Sequence, residues 1–453
     1  MKASLNVVHS QEERNPYGKH VNPQGVKLLD VLQMNVSYDH CVGSELHTSD
    51  GRRVLDFNSG YCVHNAGHNH PTIKDEIDRD GPAMLQSHVS HLAGALAERL
   101  CDRAGGRLNK VFFASSGSEG IEAVIKFARA HTGRASLLAA RGSFHGLTCG
   151  ALSLMSDDFW RDGFGPLLPE VDTVAFGDPD DLGAWLKRGR YAALILEPIQ
   201  VEDGMRIPSP DYLRQAQALC RRYGTLFVLD EVQTGMYRTG PFLAAHHFDL
   251  EPNMVVIAKA LSGGLIPVAA VLMSDEVNRS VYSSLKRAIV HTSTYSENAL
   301  AMRAGLATLD VLEAERAGER AVQTGNWLRS RLTHRLSDYD MICDIRGIGM
   351  LTGVEFQPPS KLRLRMLFEA FSRIHPAMFG QVLVMRLFRD KSMLTQICGN
   401  NFMVLKIAPA LTVSEEQAEE FVDALGEVVR LMHSGGGFWS EPLGMARRII
   451  RTI

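Results

Sequence analysis

Cysteine is scarce in this 453-residue chain. The seven that occur (Cys41, Cys62, Cys101, Cys149, Cys220, Cys343 and Cys398) are scattered, odd in number and never spaced as CxxC. That excludes a disulfide-stapled scaffold and a zinc ribbon, and it places the chain in a reducing, cytosolic setting. His68-Asn69-His70 and His88-x-x-His91 have no acidic or cysteine set beside them, so no metal site is expected. Long apolar runs are missing too. The longest, GLIPVAAVLM at 264–273, is about half of what a membrane span needs. The N-terminal MKASLNVVHSQEERNPYGKH lacks the apolar core and cleavage pattern of a secretory signal. Charge of one sign is not in excess. The net −3 gives no reason to expect nucleic acid or a membrane surface as partner. The one basic concentration, KLRLR at 361–365, alternates with leucine and reads as the solvated face of an amphipathic segment. Internal repeats and low-complexity linkers are absent.

What remains is ordinary globular composition, 45% hydrophobic and 22% charged, in a chain long enough for a large domain and a smaller one. The middle of the chain alternates short apolar runs with helical patterns. KVFFAS (110–115) precedes EGIEAVIKFARA (119–130), in which Ile121, Val124, Ile125 and Ala128 share a face. AALILEPI (192–199) precedes DYLRQAQALCRR (211–222), which Gly224 ends; TLFVLDEV (225–232), MVVIAKAL (254–261) and PVAAVLM (267–273) follow. This predicts an α/β domain on a mostly parallel sheet over 65–325. Residues 1–60 are rich in turns, and 301–332 read as one long helix. YDMICDIRG, MLTGVEFQ and VLKIAPALTV read as strands of a smaller α+β unit. A final helix begins at Ser414, with Gln417 completing a capping box.

Ligands of open parallel sheets sit at the carboxyl ends of the strands, and four stretches there carry chemistry. ASSGSEGI (114–121) joins a strand to a helix: Ser116 and Glu119 form a cap, Gly117 permits close approach, and the first free N–H groups suit a phosphate. No Gly-Lys-Ser/Thr follows, so it is not a Walker loop. The same turn is equally a capped helix without a ligand. Asp230, after four apolar residues, needs a cationic or hydrogen-bonding partner and is suited to hold a proton on a heterocyclic nitrogen, or it is a turn cap. Glu197, before a proline, adds acid to the same edge, or faces water. Lys259 interrupts an apolar run. By itself it reads first as a strand end whose stem snorkels to solvent. Glu197, Asp230 and Lys259 are each separated by roughly one strand–helix unit, so all three can meet on one edge. A phosphate cradle, an acid for a ring nitrogen and a lysine in a dry pocket are what pyridoxal phosphate (PLP) requires. A nucleotide-binding oxidoreductase would leave Lys259 unexplained, and no G-x-G-x-x-G occurs.

From about residue 20 to its end the chain resembles the class III, ornithine/acetylornithine-type, PLP-dependent aminotransferases of fold type I. GHNHP (67–71), FFASSGSEGIEA, SFHG (143–146), LILEPIQ, FVLDEVQTGMYRTG, IAKALSGG and HTSTYSENALAM (291–302) carry the resemblance. It implies a large domain at 65–325 with a mostly parallel seven-stranded sheet flanked by helices. A smaller α+β domain would come from residues 1–64 and 326–453. It implies that Lys259 is the Schiff-base lysine and proton shuttle, and that Asp230 pairs with the pyridine nitrogen. Gln233 would lie near the ring hydroxyl, Val232 under the ring and Phe144 on its other face. Gly117 and Ser118 would bind the phosphate and Glu197 would support the ring edge. Thr294 would reach the phosphate of a neighbouring subunit, making the active form a homodimer. Tyr61 would line the substrate pocket.

Several positions depart from the family pattern. The arginine of FHGRT is Leu147, the arginine before APPL is Lys406, QGEGG is QVEDG with Glu202 as the surviving gating glutamate, and GGNP is SENA at 296–299. Losing planar arginines at carboxylate sites is not conservative, so substrate contacts are expected at Tyr61, Leu147, Glu202 and Lys406. FHGLTCGALSL, FGPLLPEV, the stretch from SKLRLR to VLKIAPAL, and FWSEPLGMARR are loosely similar to aminotransferases of bacterial specialised metabolism, nearest the hopanoid-biosynthesis enzymes. The resemblance implies transfer of an amino group from an amino donor to a keto or aldehyde acceptor, both small molecules. The alternative is another PLP reaction on the same scaffold: an epimerase, decarboxylase, lyase or cyclase.

Overall fold

The computed structural model describes residues 16–81, 88–442, 444, 445 and 448. Residues 1–15, and with them most of the stretch read for a secretory signal, lie outside these, as does part of FWSEPLGMARR. The strands, in chain order, are β1 (Tyr38–Val42), β2 (Glu45–Thr48), β3 (Arg53–Asp56), β4 (Lys110–Ala114), β5 (Ser136–Ala140), β6 (Val171–Val174), β7 (Tyr191–Leu196), β8 (Leu226–Asp230), β9 (Met254–Ile257), β10 (Ala269–Met273), β11 (Ile342–Ile348), β12 (Leu351–Phe356), β13 (Met393–Leu394), β14 (Gln396–Ile397) and β15 (Val404–Ile407).

The central sheet has seven strands in the order β4-β10-β9-β8-β7-β5-β6. β10 runs antiparallel to both neighbours, and every other pairing is parallel. Helices cover both faces, so the inner strands read as unbroken apolar runs, every residue of β5, β7, β8, β9 and β10 being buried. The helix Gly117–Thr132 packs Ile121, Val124, Ile125 and Ala128 inward, and Ser116 and Glu119 close its capping box. Gly224, in left-handed conformation, ends the helix Pro210–Tyr223. Ser414 and Gln417 cap the helix Glu415–His433. KLRLR enters an amphipathic helix, Leu362–Ile374, with Leu364 buried.

The structure corrects two expectations. The stretch read as one helix over 301–332 is two, Ala299–Ala314 and Ala317–Leu336, broken where Arg316 adopts φ 51°. The first packs on the helix Pro71–Asp78 and the second on Glu415–His433, and one straight rod could not serve both. The turn-rich N-terminal region contains β1, β2 and β3, with β3 paired in parallel to β13 far along the chain. β11, β12, β15 and β14 form a separate antiparallel sheet. Among the described residues no helix is long and apolar enough to cross a membrane.

Candidate active site

Because β4, β5, β7, β8 and β9 point the same way, the residues following them share one edge of the sheet. β10 runs the other way and brings the segment before it, Leu265–Val268, to that edge. There a cavity of about 420 Å³ opens, lined among others by Gly117, Ser118, Phe144, Glu197, Asp230, Val232, Gln233 and Lys259. Eight residues singled out in sequence thus meet in one place.

The helix Gly117–Thr132 aims its first turn into the cavity. Ser116 Oγ takes the Glu119 N–H, while the N–H groups of Gly117 and Ser118 find no acceptor among the described residues. A Cβ on Gly117 would come within 3.0 Å of Val232 Cγ2. Gly146 has φ 117°, and a Cβ there would overlap Ser118 Oγ, which accepts the Leu147 N–H at 3.3 Å. Gly146→Ala should therefore destabilise the fold by about 1–3 kcal/mol and loosen this turn; urea unfolding measures the first effect.

Asp230 ends β8. Its Oδ2 lies 2.8 Å from His145 Nδ1, and its Oδ1 accepts the Val232 N–H at 3.1 Å. The His145 side chain is wholly buried and its Nε2 has no partner. His145 escaped the sequence reading, although SFHG placed it next to Phe144. Glu197 is buried one strand away and accepts the Phe144 N–H at 2.9 Å. Burial, and then the charge of Asp230, push its carboxyl well above the usual range. The edge therefore sets a carboxyl whose charge burial disfavours, Glu197, beside the acceptor at Asp230.

Lys259 opens a short 3₁₀ turn, Lys259–Ser262, with φ 45°. A lysine held there stores backbone strain, a feature of functional sites. Burial lowers its ammonium pKa from the ordinary value, and the neighbouring Cys62 and Glu202 offset this only in part.

Glu202 and Lys406 stand behind the cavity as a buried ion pair, Nζ to Oε1 2.5 Å. Glu202 also accepts the Gln233 amide at 3.2 Å and the Gly399 N–H at 2.8 Å. Burial opposes both charges. Lys406 nevertheless holds the Glu202 carboxyl below its usual range, and Glu202 holds the Lys406 ammonium above its own. The Gln233 Oε1 is buried without a partner. Lys406 Nζ lies 4.8 Å from the Tyr61 ring centroid. Tyr61, 45% exposed with φ 62°, and Leu147, 55% exposed, lie at the surface and are not among the residues lining the cavity; nor is Thr294. His68 bonds Asp56 at 2.8 Å, and no group of three metal-ligating side chains occurs among the described residues.

A lysine, a buried acid and an anion-receiving helix end on the carboxyl edge of this sheet make the architecture of a fold type I transferase. A family model, Aminotransferase class-III, matches residues 29–429. The chain is 32% identical over 447 residues to the aminotransferase PigE of Serratia sp. (strain ATCC 39006), covering 91% of this chain and 52% of that protein. It thus spans about half the length of that relative. Over 397 residues it is 32% identical to the putrescine aminotransferase of Pectobacterium atrosepticum, covering 85% and 80% of the two. Among solved structures, a PLP-bound amine transaminase from an uncultivated Pseudomonas species superposes with TM-score 0.76 at 26% identity, covering 93% of this chain and 98% of that one. The ornithine aminotransferase of Toxoplasma gondii gives 0.79 at 25%, covering 88% and 91%. The chain belongs to the class-III aminotransferases.

Proposed function

We propose that this chain holds PLP in the cavity above the sheet edge and exchanges an amine for a carbonyl between two small molecules. One substrate's amine becomes a carbonyl while the other's carbonyl becomes an amine, which balances atoms and electrons. The observation that carries the reading is Lys259: strained, with its pKa lowered by burial, and sharing a cavity with Asp230. The residues present fit the cofactor. The unpaired N–H groups of Gly117 and Ser118 receive the phosphate. Val232 and Phe144 would offer apolar surface to the two faces of the ring, Glu197 would border its edge, and the unpartnered Gln233 Oε1 would accept from the ring hydroxyl. Asp230, steadied by His145, would face the ring nitrogen. When bound, PLP supplies an electron sink for the carbon that loses a proton. Lys259 would hold the cofactor covalently and move that proton, work for which a depressed pKa suits an amine.

The active unit is a homodimer in this reading. Leu285, Ile289 and Tyr295 are exposed in the same segment as Thr294, and a second copy would cover them while Thr294 reaches its partner's phosphate. Residues 1–64 and 326–453 would form the smaller domain beside 65–325. Purified protein mixed with PLP should turn yellow, and an amine donor should convert the bound cofactor to its pyridoxamine form. Protein that stays colourless overturns cofactor binding. A bound cofactor that no donor converts overturns amino transfer and favours another PLP reaction.

A further inference from the structure

We propose that the outer face of the helix Leu362–Ile374 is a docking surface for an anionic lipid bilayer, on which the protein rests reversibly. No residue of this helix lines the cavity, so the proposal stands or falls apart from amino transfer.

The inner face of the helix is fixed by the protein itself. Leu364, Phe368 and Phe371 are buried. Phe368 meets Phe379 with centroids 4.7 Å apart, and Phe371 meets Trp439 edge-on at 5.1 Å. These contacts hold the helix without help from its outer side, which an amphipathic helix ordinarily leaves polar. Here that side is not polar. Leu362, Met366 and Ile374 are 73%, 63% and 62% exposed, and Ala370 is exposed between them. The four recur every fourth residue and make one apolar ridge about 18 Å long. Exposed apolar residues scattered singly need no explanation, but a row of them at helical spacing marks an interaction surface.

Charge names the occupant. Arg363, Arg365 and Arg373 flank the ridge and Lys361 precedes it, against one acid in the helix, Glu369. Arg365 is held by Glu369 at 3.2 Å, and Lys361 lies 3.1 Å from His433 Nε2 and close to Asp340. Arg363 and Arg373 form no ion pair among the described residues, which leaves two guanidiniums for an external anion. The net −3 of the whole chain conceals this cluster. An apolar ridge between cationic side chains is what an interfacial helix presents to a membrane. The ridge enters the acyl boundary while the arginine stems snorkel and their heads pair with lipid phosphates. An outward helix face is convex, and a planar bilayer takes it without a matching groove. A second copy fits poorly, because a twofold contact through this face sets basic ends against basic ends.

The test is flotation of the PLP-loaded full chain with vesicles of phosphatidylcholine alone or mixed with phosphatidylglycerol, at low and at high salt. The anionic vesicles should bind the protein at least about tenfold more tightly, on the scale of about fivefold per free basic residue, and high salt should release it. Leu362→Ser/Met366→Ser/Ile374→Ser should weaken that binding at least about tenfold and leave the thermal midpoint unchanged, since all three positions are exposed. Arg363→Glu/Arg373→Glu should weaken it as much and remove the salt dependence. Arg221→Glu/Arg222→Glu, the same change of charge at exposed positions of the helix Pro210–Tyr223, should bind like the wild type. Cofactor content should be the same in all of them. Wild-type protein that floats with neither vesicle overturns the proposal, and so does binding that the first two variants retain, which would place the contact elsewhere. Self-association without vesicles that the triple serine variant abolishes would name a second copy as the occupant and overturn it too. Anionic vesicles that bind protein in which no donor converts the cofactor would leave the docking surface standing and remove amino transfer.

Discussion

Lys259→Ala is expected to cut amino-transfer turnover by at least about 10²–10⁴-fold, the range that loss of a positioned acid–base group produces, and to abolish the covalent attachment of PLP. No second amine can replace it. Lys406 is the nearest candidate, but it is fully buried and held by Glu202 at 2.5 Å. The variant should not unfold. The position has φ 45°, which alanine tolerates no worse than lysine, and the change removes a cation that burial disfavours. The thermal midpoint should therefore hold or rise while activity disappears. Borohydride reduction followed by mass spectrometry should attach the cofactor to residue 259 in the wild type and to no residue in the variant. Attachment elsewhere, or retained turnover, would remove Lys259 from its role.

Asp230→Asn is expected to retain much of the bound PLP and lose about 10²–10³-fold in rate, the scale of removing one charge-stabilising group from a preorganised site. Asparagine matches the shape and can still accept the Val232 N–H, but it cannot carry the negative charge that keeps a proton on a ring nitrogen. The neighbouring carboxyl cannot compensate. Burial and Asp230 itself push the Glu197 carboxyl well above its usual range, and it is committed to the Phe144 N–H at 2.9 Å. His145→Ala should mimic Asp230→Asn in part, because it releases the Oδ2 that His145 Nδ1 fixes at 2.8 Å. Rapid-mixing spectra separate the rate from cofactor content. A normal rate in Asp230→Asn would mean that the carboxylate faces something other than the ring nitrogen.

Much of the site is legible in the chain because it is built from local signals. A capping box at Ser116 and Glu119 announces a helix whose N-terminus is free. A strand that ends in Asp230 and an apolar run interrupted by Lys259 each place a charged group where burial makes it expensive. The parallel sheet is equally plain, since strands covered on both faces must be apolar throughout. β5 and β6 escape the reading. SLLAA has helical composition, and the edge strand Val171–Val174 is short and half-exposed, so neither carries a periodic signal. The break at Arg316 is silent for a related reason: its residues favour helix, and only packing against two different partners forces the left-handed turn.

The sequence by itself determined most of the sheet and the caps, because these follow from periodicity, and it marked Asp230, Lys259 and the Gly117–Ser118 turn as candidates, because a buried charge is costly and a free helix end invites an anion; only the family resemblance gave them roles. The tertiary structure decided which of these groups meet and what encloses them. It put His145 on Asp230, joined Lys406 to Glu202 across some two hundred residues, and stood Trp160 against Phe144 with Asn400 holding it. These are side-chain contacts between segments apart in the chain, and no local pattern encodes them.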